Sequence, residues 1–206
     1  MPFTFTLCTE IRAHMNFKLL LLILAAALAN CTNSKKNDSL SGKLKHQKFV
    51  IDSLATSTNL ILFVKPADKK HLIQLKNGEH YPGKIEAAYN VLKNPEDKVV
   101  YVAEIPFSPK DDWFIVYKNY FDEKGKLFAF QRLNNFFHSE CTKGAALESL
   151  TKFYNDDFSV ADSSYTLTDS NKKTLDKESC KFPYSFPYTV AKTLEEYRKI
   201  HQTEAF

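Results

Sequence analysis

Glycine is scarce in this chain, at 5 of 206 residues, and no Gly-rich loop of the kind that cradles phosphate is present. Apolar runs are short. The uncharged stretch Leu19–Ala29 has 11 residues, where a membrane-spanning helix needs roughly 20. Charge of one sign is lacking too. Lys and Arg number 28 against 24 Asp and Glu, a formal +4. That balance is too small and too mixed for a strong field toward nucleic acid or a membrane surface, so no nucleic-acid partner is expected. Neither His-Glu-x-x-His nor Gly-x-Ser-x-Gly occurs, and no cofactor fingerprint appears. The expectation is no cofactor and no metal.

Aromatic residues are what the chain has in quantity: 17 Phe, 10 Tyr and 1 Trp. They fit a packed, sheet-rich domain and argue against a low-complexity chain.

The N-terminal segment carries an address. Lys18 supplies a positive charge, Leu19–Ala29 has the length of a signal-peptide apolar region, and Cys31–Asp38 is polar. Leu28-Ala29-Asn30-Cys31 resembles the lipobox of bacterial lipoproteins, in which a Leu and two small residues precede an acylated Cys. Asn30 departs from the Gly, Ala or Ser usual there. The resemblance spans residues 15–31. It implies that Cys31 takes a diacylglycerol and that residues 1–30 are cut away; in this family the new amine is often acylated too. An ordinary signal peptide and a buried apolar helix are the alternatives. Residues 1–14 contain Glu10 and Arg12 and lengthen the leader without purpose, so Met15 is the expected start and Cys8 would be lost. One acyl chain binds a bilayer only reversibly, at about 0.8 kcal/mol per buried methylene; two or three hold stably. Thr32 stands where an Asp retains family members on the inner membrane. The resemblance therefore implies the outer membrane, and the lack of an acidic cluster after Cys31 favours its periplasmic side over the cell surface.

Removing residues 1–30 leaves 176, and the loss of Arg12, Lys18 and Glu10 lowers the formal charge from +4 to +3. That length suits one domain, which buries roughly 70% of its unfolded-chain surface. Residues 31–43 read as a lipidated, flexible tether and 44–206 as a single globular α+β domain. Cys141 and Cys180 then remain alone in an oxidising compartment, and a disulfide between them is the natural reading. Such a bond would contribute roughly 4 kcal/mol through loop closure. Two free thiols, or a reactive Cys141, are the alternatives.

Leu44, Lys48, Ile51 and Ala55 suggest a short helix. Asn59–Val64 and His71–Leu75 read as strands, with a turn at Asn77-Gly78. Ile85, Ala88, Tyr89 and Leu92 recur at helical spacing, so a helix is expected over Lys84–Lys93, opened by Pro82-Gly83 and closed by Asn94-Pro95. Lys98–Ile105 reads as a strand. Trp113–Phe121 and Lys126–Phe137 form the clearest unit, a hairpin whose turn needs Gly125 at positive φ. Ala145–Asn155 and Phe158–Thr168 add two strands, followed by a polar turn at Asp169–Lys173. In Phe182–Val190 the aromatic residues alternate, and Pro183 and Pro187 blunt one side, as in an edge strand. Thr193-Leu194-Glu195-Glu196 matches a capping box, opening a helix with Leu194, Tyr197 and His201 on one stripe. The expected fold is α+β: an antiparallel meander with a few short helices packed on one face.

Candidate chemistry is sparse. His138 and Cys141 form the densest reactive cluster, but three residues apart on an extended chain they point to opposite faces. His71, His80 and His138 have no spacing that gathers them around a metal. Asp111-Asp112 and Asp156-Asp157 sit where turns favour Asp. The runs Lys43-Leu44-Lys45 and Lys69-Lys70 read as solvated faces. Trp113, Tyr117, Tyr120, Tyr184, Phe186 and Tyr188 are a candidate ligand face, with burial in the core as the simpler reading. The function class expected is a non-catalytic envelope lipoprotein, a binding or assembly module held on the bilayer by Cys31 and working with an envelope protein partner. The rivals are an envelope hydrolase with a dispersed site and an inhibitor or immunity protein.

Overall fold

One turn recurs at three of the strand connections of this chain and again after its last strand. In Asp122–Lys126 the backbone N–H of Asp122 donates to Lys126 O at 2.9 Å, and that of Gly125 to Asp122 O at 2.9 Å. The Asp122 carboxylate accepts from the N–H groups of Lys124 and Lys126 at 2.9 and 2.8 Å. Gly125 takes φ +74°. Asn94–Lys98, Asn155–Ser159 and Asp169–Lys173 repeat the same pair of backbone bonds, each opening on Asn or Asp. Their fourth residues, Asp97, Phe158 and Lys172, take φ of 62°, 67° and 64°. This is the type I turn followed by a left-handed residue that fits the twist of antiparallel strands. A register shift lies beside each of the first three turns, at Leu92/Lys93, Tyr120/Phe121 and Phe153/Tyr154.

The computed structural model describes residues 39–57, 60–76, 79–108, 110–137, 140–180 and 188–206. Within the compact unit Asp38–Phe206, eight strands run in order: β1 (Ile61–Pro66), β2 (Ile73–Leu75), β3 (Ile85–Lys93), β4 (Val99–Pro106), β5 (Trp113–Phe121), β6 (Leu127–Phe136), β7 (Ala146–Tyr154) and β8 (Val160–Asp169). They form one antiparallel sheet ordered β2-β1-β3-β4-β5-β6-β7-β8. Two helices complete it, α1 (Leu40–Ser57) and α2 (Leu194–Ile200). No described helix is long and apolar enough to cross a membrane.

The α+β class and the meander are as expected, with the difference that the helices divide between the two faces. Tyr197 of α2 packs with Tyr89, Tyr117 and Phe130. Ile51 of α1 packs with Tyr101, Tyr120 and Phe128 on the opposite side. Since side chains of a strand alternate, a central strand bordered by a helix on each face must be apolar at nearly every position. That explains why β3 departs from the expected helix. Lys84–Lys93 was expected to be helical, but Ile85–Lys93 is a strand, β3, with Ala87, Ala88, Tyr89, Val91 and Leu92 buried. Burial on both faces erases the two-residue period and mimics helical spacing. Asn94-Pro95, read as a helix stop, belongs to the first hairpin turn.

The expected tether, 31–43, lies mostly outside the described residues, and its last part, Leu40–Lys43, is the first turn of α1. Ser41 and Lys45 fasten that turn to Asp162 on β8. Asp52 fastens the middle, accepting from the Tyr120 hydroxyl at 2.7 Å and from Lys48 at 2.6 Å. At the other end of the chain, Thr193 caps α2 by accepting from Glu196 N at 3.1 Å. The Glu196 carboxylate reaches back to Lys192 N at 2.7 Å, one residue before the cap. Gly125 O accepts from Leu194 N at 2.8 Å, which docks α2 on the β5–β6 turn. Of the Phe182–Val190 strand, Phe182–Pro187 and the Asn77-Gly78 turn lie outside the described residues; Tyr188, Thr189 and Val190 form no strand.

Candidate functional site

Register builds a cross-strand row on the face beneath α2. Phe63 pairs with Tyr89, Tyr89 with Glu104, Glu104 with Tyr117, and Tyr117 with Arg132. Glu104 is therefore a carboxylate set among aromatic rings, and α2 closes over it. The Tyr197 hydroxyl donates to Glu104 Oε2 at 3.1 Å, and His201 Nε2 lies 3.5 Å from the same oxygen. Burial pushes the Glu104 carboxyl up to about 7, against the opposing pull of the Tyr197, Tyr188 and Tyr89 hydroxyls and of the Lys65 charge. Burial, with Lys65 nearby, pushes His201 down to about 4. Between those values both groups are neutral, an acid beside an imidazole. His201 Nε2 has no hydrogen-bond partner; a protonated Glu104 brings it an O–H.

The aromatic lid is continuous. Tyr188 stacks on Tyr117 with ring centroids 3.9 Å apart and on Phe130 at 5.5 Å. His201 stacks on Tyr197 at 4.2 Å. The Tyr188 hydroxyl accepts from buried Asn119 Nδ2 at 2.9 Å. Burial raises Tyr89, Tyr188 and Tyr197 well above the ordinary tyrosine range, and Tyr117 to about 12. All four stay protonated at neutral pH.

A cavity of about 320 Å³ opens beside this cluster, lined by Lys65, Lys69, Lys70, Tyr89 and His201 among others. Lys65 pairs with Glu86 at 3.0 Å. Lys69 and Lys70 form no ion pair with a described residue, so the mouth is cationic. Glu104 does not line the cavity. Tyr89 and His201, not the buried carboxyl, form its wall on that side. A larger cavity, about 370 Å³, lies at the start of α1, lined by Leu40, Leu44, Tyr154, Phe158 and Lys192 and by the turn aspartates Asp122, Asp156 and Asp157. The other deep carboxylate, Glu148, is held by Arg132 through two bonds at 3.1 and 3.0 Å and also accepts from Asn134. Its carboxylate is paired in place.

The residues singled out from sequence fall in different places. Trp113 and Tyr117 are core residues, 5% and 3% exposed, so they do not form an open ligand face. Tyr120 points to the opposite side of the sheet, and Tyr188 is half-buried on Tyr117. Tyr184, Phe186, His138 and Cys31 lie outside the described residues. Cys141 and Cys180 stand together as a disulfide pair with Cα atoms 4.9 Å apart, packed on Ala146 and Leu167. His71 and His80 are exposed, and no described group of His, Cys, Asp or Glu is arranged to hold a metal. Asp112 accepts from the Ser108 hydroxyl at 2.7 Å, and Asp157 from the N–H of Ser159 at 2.9 Å. Both perform turn chemistry. Sequence reading missed Glu104 and Lys65. The available signal was a lone acid in the apolar strand Val99–Pro106. The chain matches no known protein family, no curated protein and no solved structure.

Proposed function

We propose that this chain is a lipid-anchored envelope protein that binds a small anion and does not turn it over. The address rests on the Lys18–Cys31 segment and its resemblance to a lipobox. The binding reading is carried by one observation: a cavity of about 320 Å³ presents Lys69 and Lys70, unpaired among the described residues, while the acid behind it, Glu104, does not reach its wall. A hydrolase needs its proton donor within hydrogen-bond reach of the leaving group. Here Tyr89 and His201 stand between, and both are held in their neutral forms by burial. The cavity offers charge and donors to an anion, and the one carboxylate on its wall, Glu86, is paired with Lys65 at 3.0 Å.

The test is calorimetric titration of the Asp38–Phe206 unit with inorganic phosphate at pH 7, beside a Lys69→Ala/Lys70→Ala variant. Both lysines are exposed, so the variant keeps the fold. Saturable binding that weakens at least tenfold in the variant supports the reading. Equal affinity in the two proteins, or no binding in either, refutes it.

A further inference from the structure

Leu40, Phe49, Val50 and Leu54, all large and exposed, belong to α1. The inner stripe of this helix, Leu44, Ile51 and Ala55, is packed on the sheet. Phe49, 68% exposed, points away from it, with Val50 and Leu54 one turn apart beside it. Water is a poor solvent for such a group of side chains. The charges of the helix are sorted as well. α1 holds three lysines and one carboxylate, Asp52. Asp52 is turned to the sheet and held there by Lys48 and the Tyr120 hydroxyl. Lys43 is exposed and makes no ion pair with a described residue. The outer face thus presents apolar groups and the Lys43 cation, and the one carboxylate at its edge, Asp52, 35% exposed, is already paired with Lys48, the composition of a helix that lies in the headgroup region of an anionic bilayer. Chain length agrees. Eight residues separate Cys31 from Leu40, about 30 Å when fully extended.

We infer that the outer face of α1 seats on the membrane surface, with Phe49, Val50 and Leu54 at the boundary of headgroups and acyl chains and Lys43 facing lipid phosphates. This rests on the anchored reading above, because the short span from Cys31 is what would bring α1 to a bilayer in the cell. The test removes the anchor. The Asp38–Phe206 unit, which lacks Cys31, is sedimented with vesicles of phosphatidylethanolamine and phosphatidylglycerol and, separately, of phosphatidylcholine. Binding to the anionic vesicles is expected, at least tenfold weaker to phosphatidylcholine. A Phe49→Ser/Val50→Ser/Leu54→Ser variant is expected to bind the anionic vesicles at least tenfold more weakly with its circular dichroism unchanged. Phosphate at concentrations that fill the lysine-lined cavity is expected to leave vesicle binding intact. A unit that stays in the supernatant, or a variant that sediments like the parent, overturns the inference. So does a dimer in solution that the same three substitutions abolish while vesicles have no effect; it would assign the patch to a second copy of the chain. Failure of the anchored reading registers elsewhere, as absence of acyl label on the full chain.

Discussion

Glu104 and His201 set opposite pH dependences on the same few cubic ångströms. Glu104 titrates near 4.5 in the unfolded chain and at about 7 in the fold. Its folded value is raised, so its contribution to stability is fully present below pH 4.5 and is lost as pH rises through 7. His201 titrates near 6.5 unfolded and at about 4 folded. Its folded value is depressed, so its contribution is present above pH 6.5 and is lost as pH falls through 4. Between pH 4.5 and 6.5 the two slopes cancel, and a flat stability profile is expected there. Glu104→Gln removes one slope. The variant is expected to gain on the parent as pH rises from 5 to 8, by up to about 3 kcal/mol for a fully buried shift. Denaturant unfolding at several pH values reads this directly, and an unchanged difference across that range would refute the assignment. This cluster was barely legible in the sequence. The helical stripe Leu194, Tyr197, His201 was visible, but a stripe does not say which strand it covers. Glu104 meets it only through the register of β3, β4 and β5, a pairing of residues far apart in the chain.

Elements explain themselves more locally. The five-residue turn recurs because an Asn or Asp at its first position can hold the turn through its side chain, accepting from backbone N–H groups at 94, 122 and 169 and donating to the Ser159 hydroxyl at 155. The left-handed fourth position is written only at Gly125. Asp97, Phe158 and Lys172 adopt it at a cost of roughly 1 kcal/mol each. Phe158 recovers part of this by stacking on Tyr154, centroids 4.4 Å apart. Two substitutions should therefore move stability in opposite directions. Gly125→Ala is expected to cost about 1 kcal/mol from backbone strain alone, since an added Cβ meets Leu194 Cβ at an ordinary 3.7 Å. Lys172→Gly, in an exposed turn, is expected to gain a few tenths of a kcal/mol. Thr193→Ala deletes the α2 cap and is expected to cost about 1 kcal/mol. Thermal or urea unfolding checks all three. The β5–β6 hairpin was legible for these reasons, and β3 was not, because burial on both faces left no alternation to read.

At the scale of the whole molecule, meander topology follows from short turns between neighbouring strands, which is why it was visible in sequence. The division of helices between two faces was not, since nothing local to α1 or α2 states which side of a sheet it will cover. The Cys141–Cys180 pair ties the segment after β6 to the segment after β8 across 39 residues of sequence. Replacing both with Ser is expected to lower stability by roughly 4 kcal/mol on the loop-closure account, measured under non-reducing conditions. Net charge predicts no membrane attraction for the whole chain; the attraction we infer for α1 is local, from its apolar outer face and Lys43. The proposed delivery of an anion pocket to the envelope depends on the proposed anchor, which would also hold the outer face of α1 within reach of a bilayer. The direct measurement is palmitate labelling of the full chain in a Gram-negative host, beside Cys31→Ser. The account predicts acyl label on the parent and none on the variant. Unlabelled parent, or equal label on both, would contradict it.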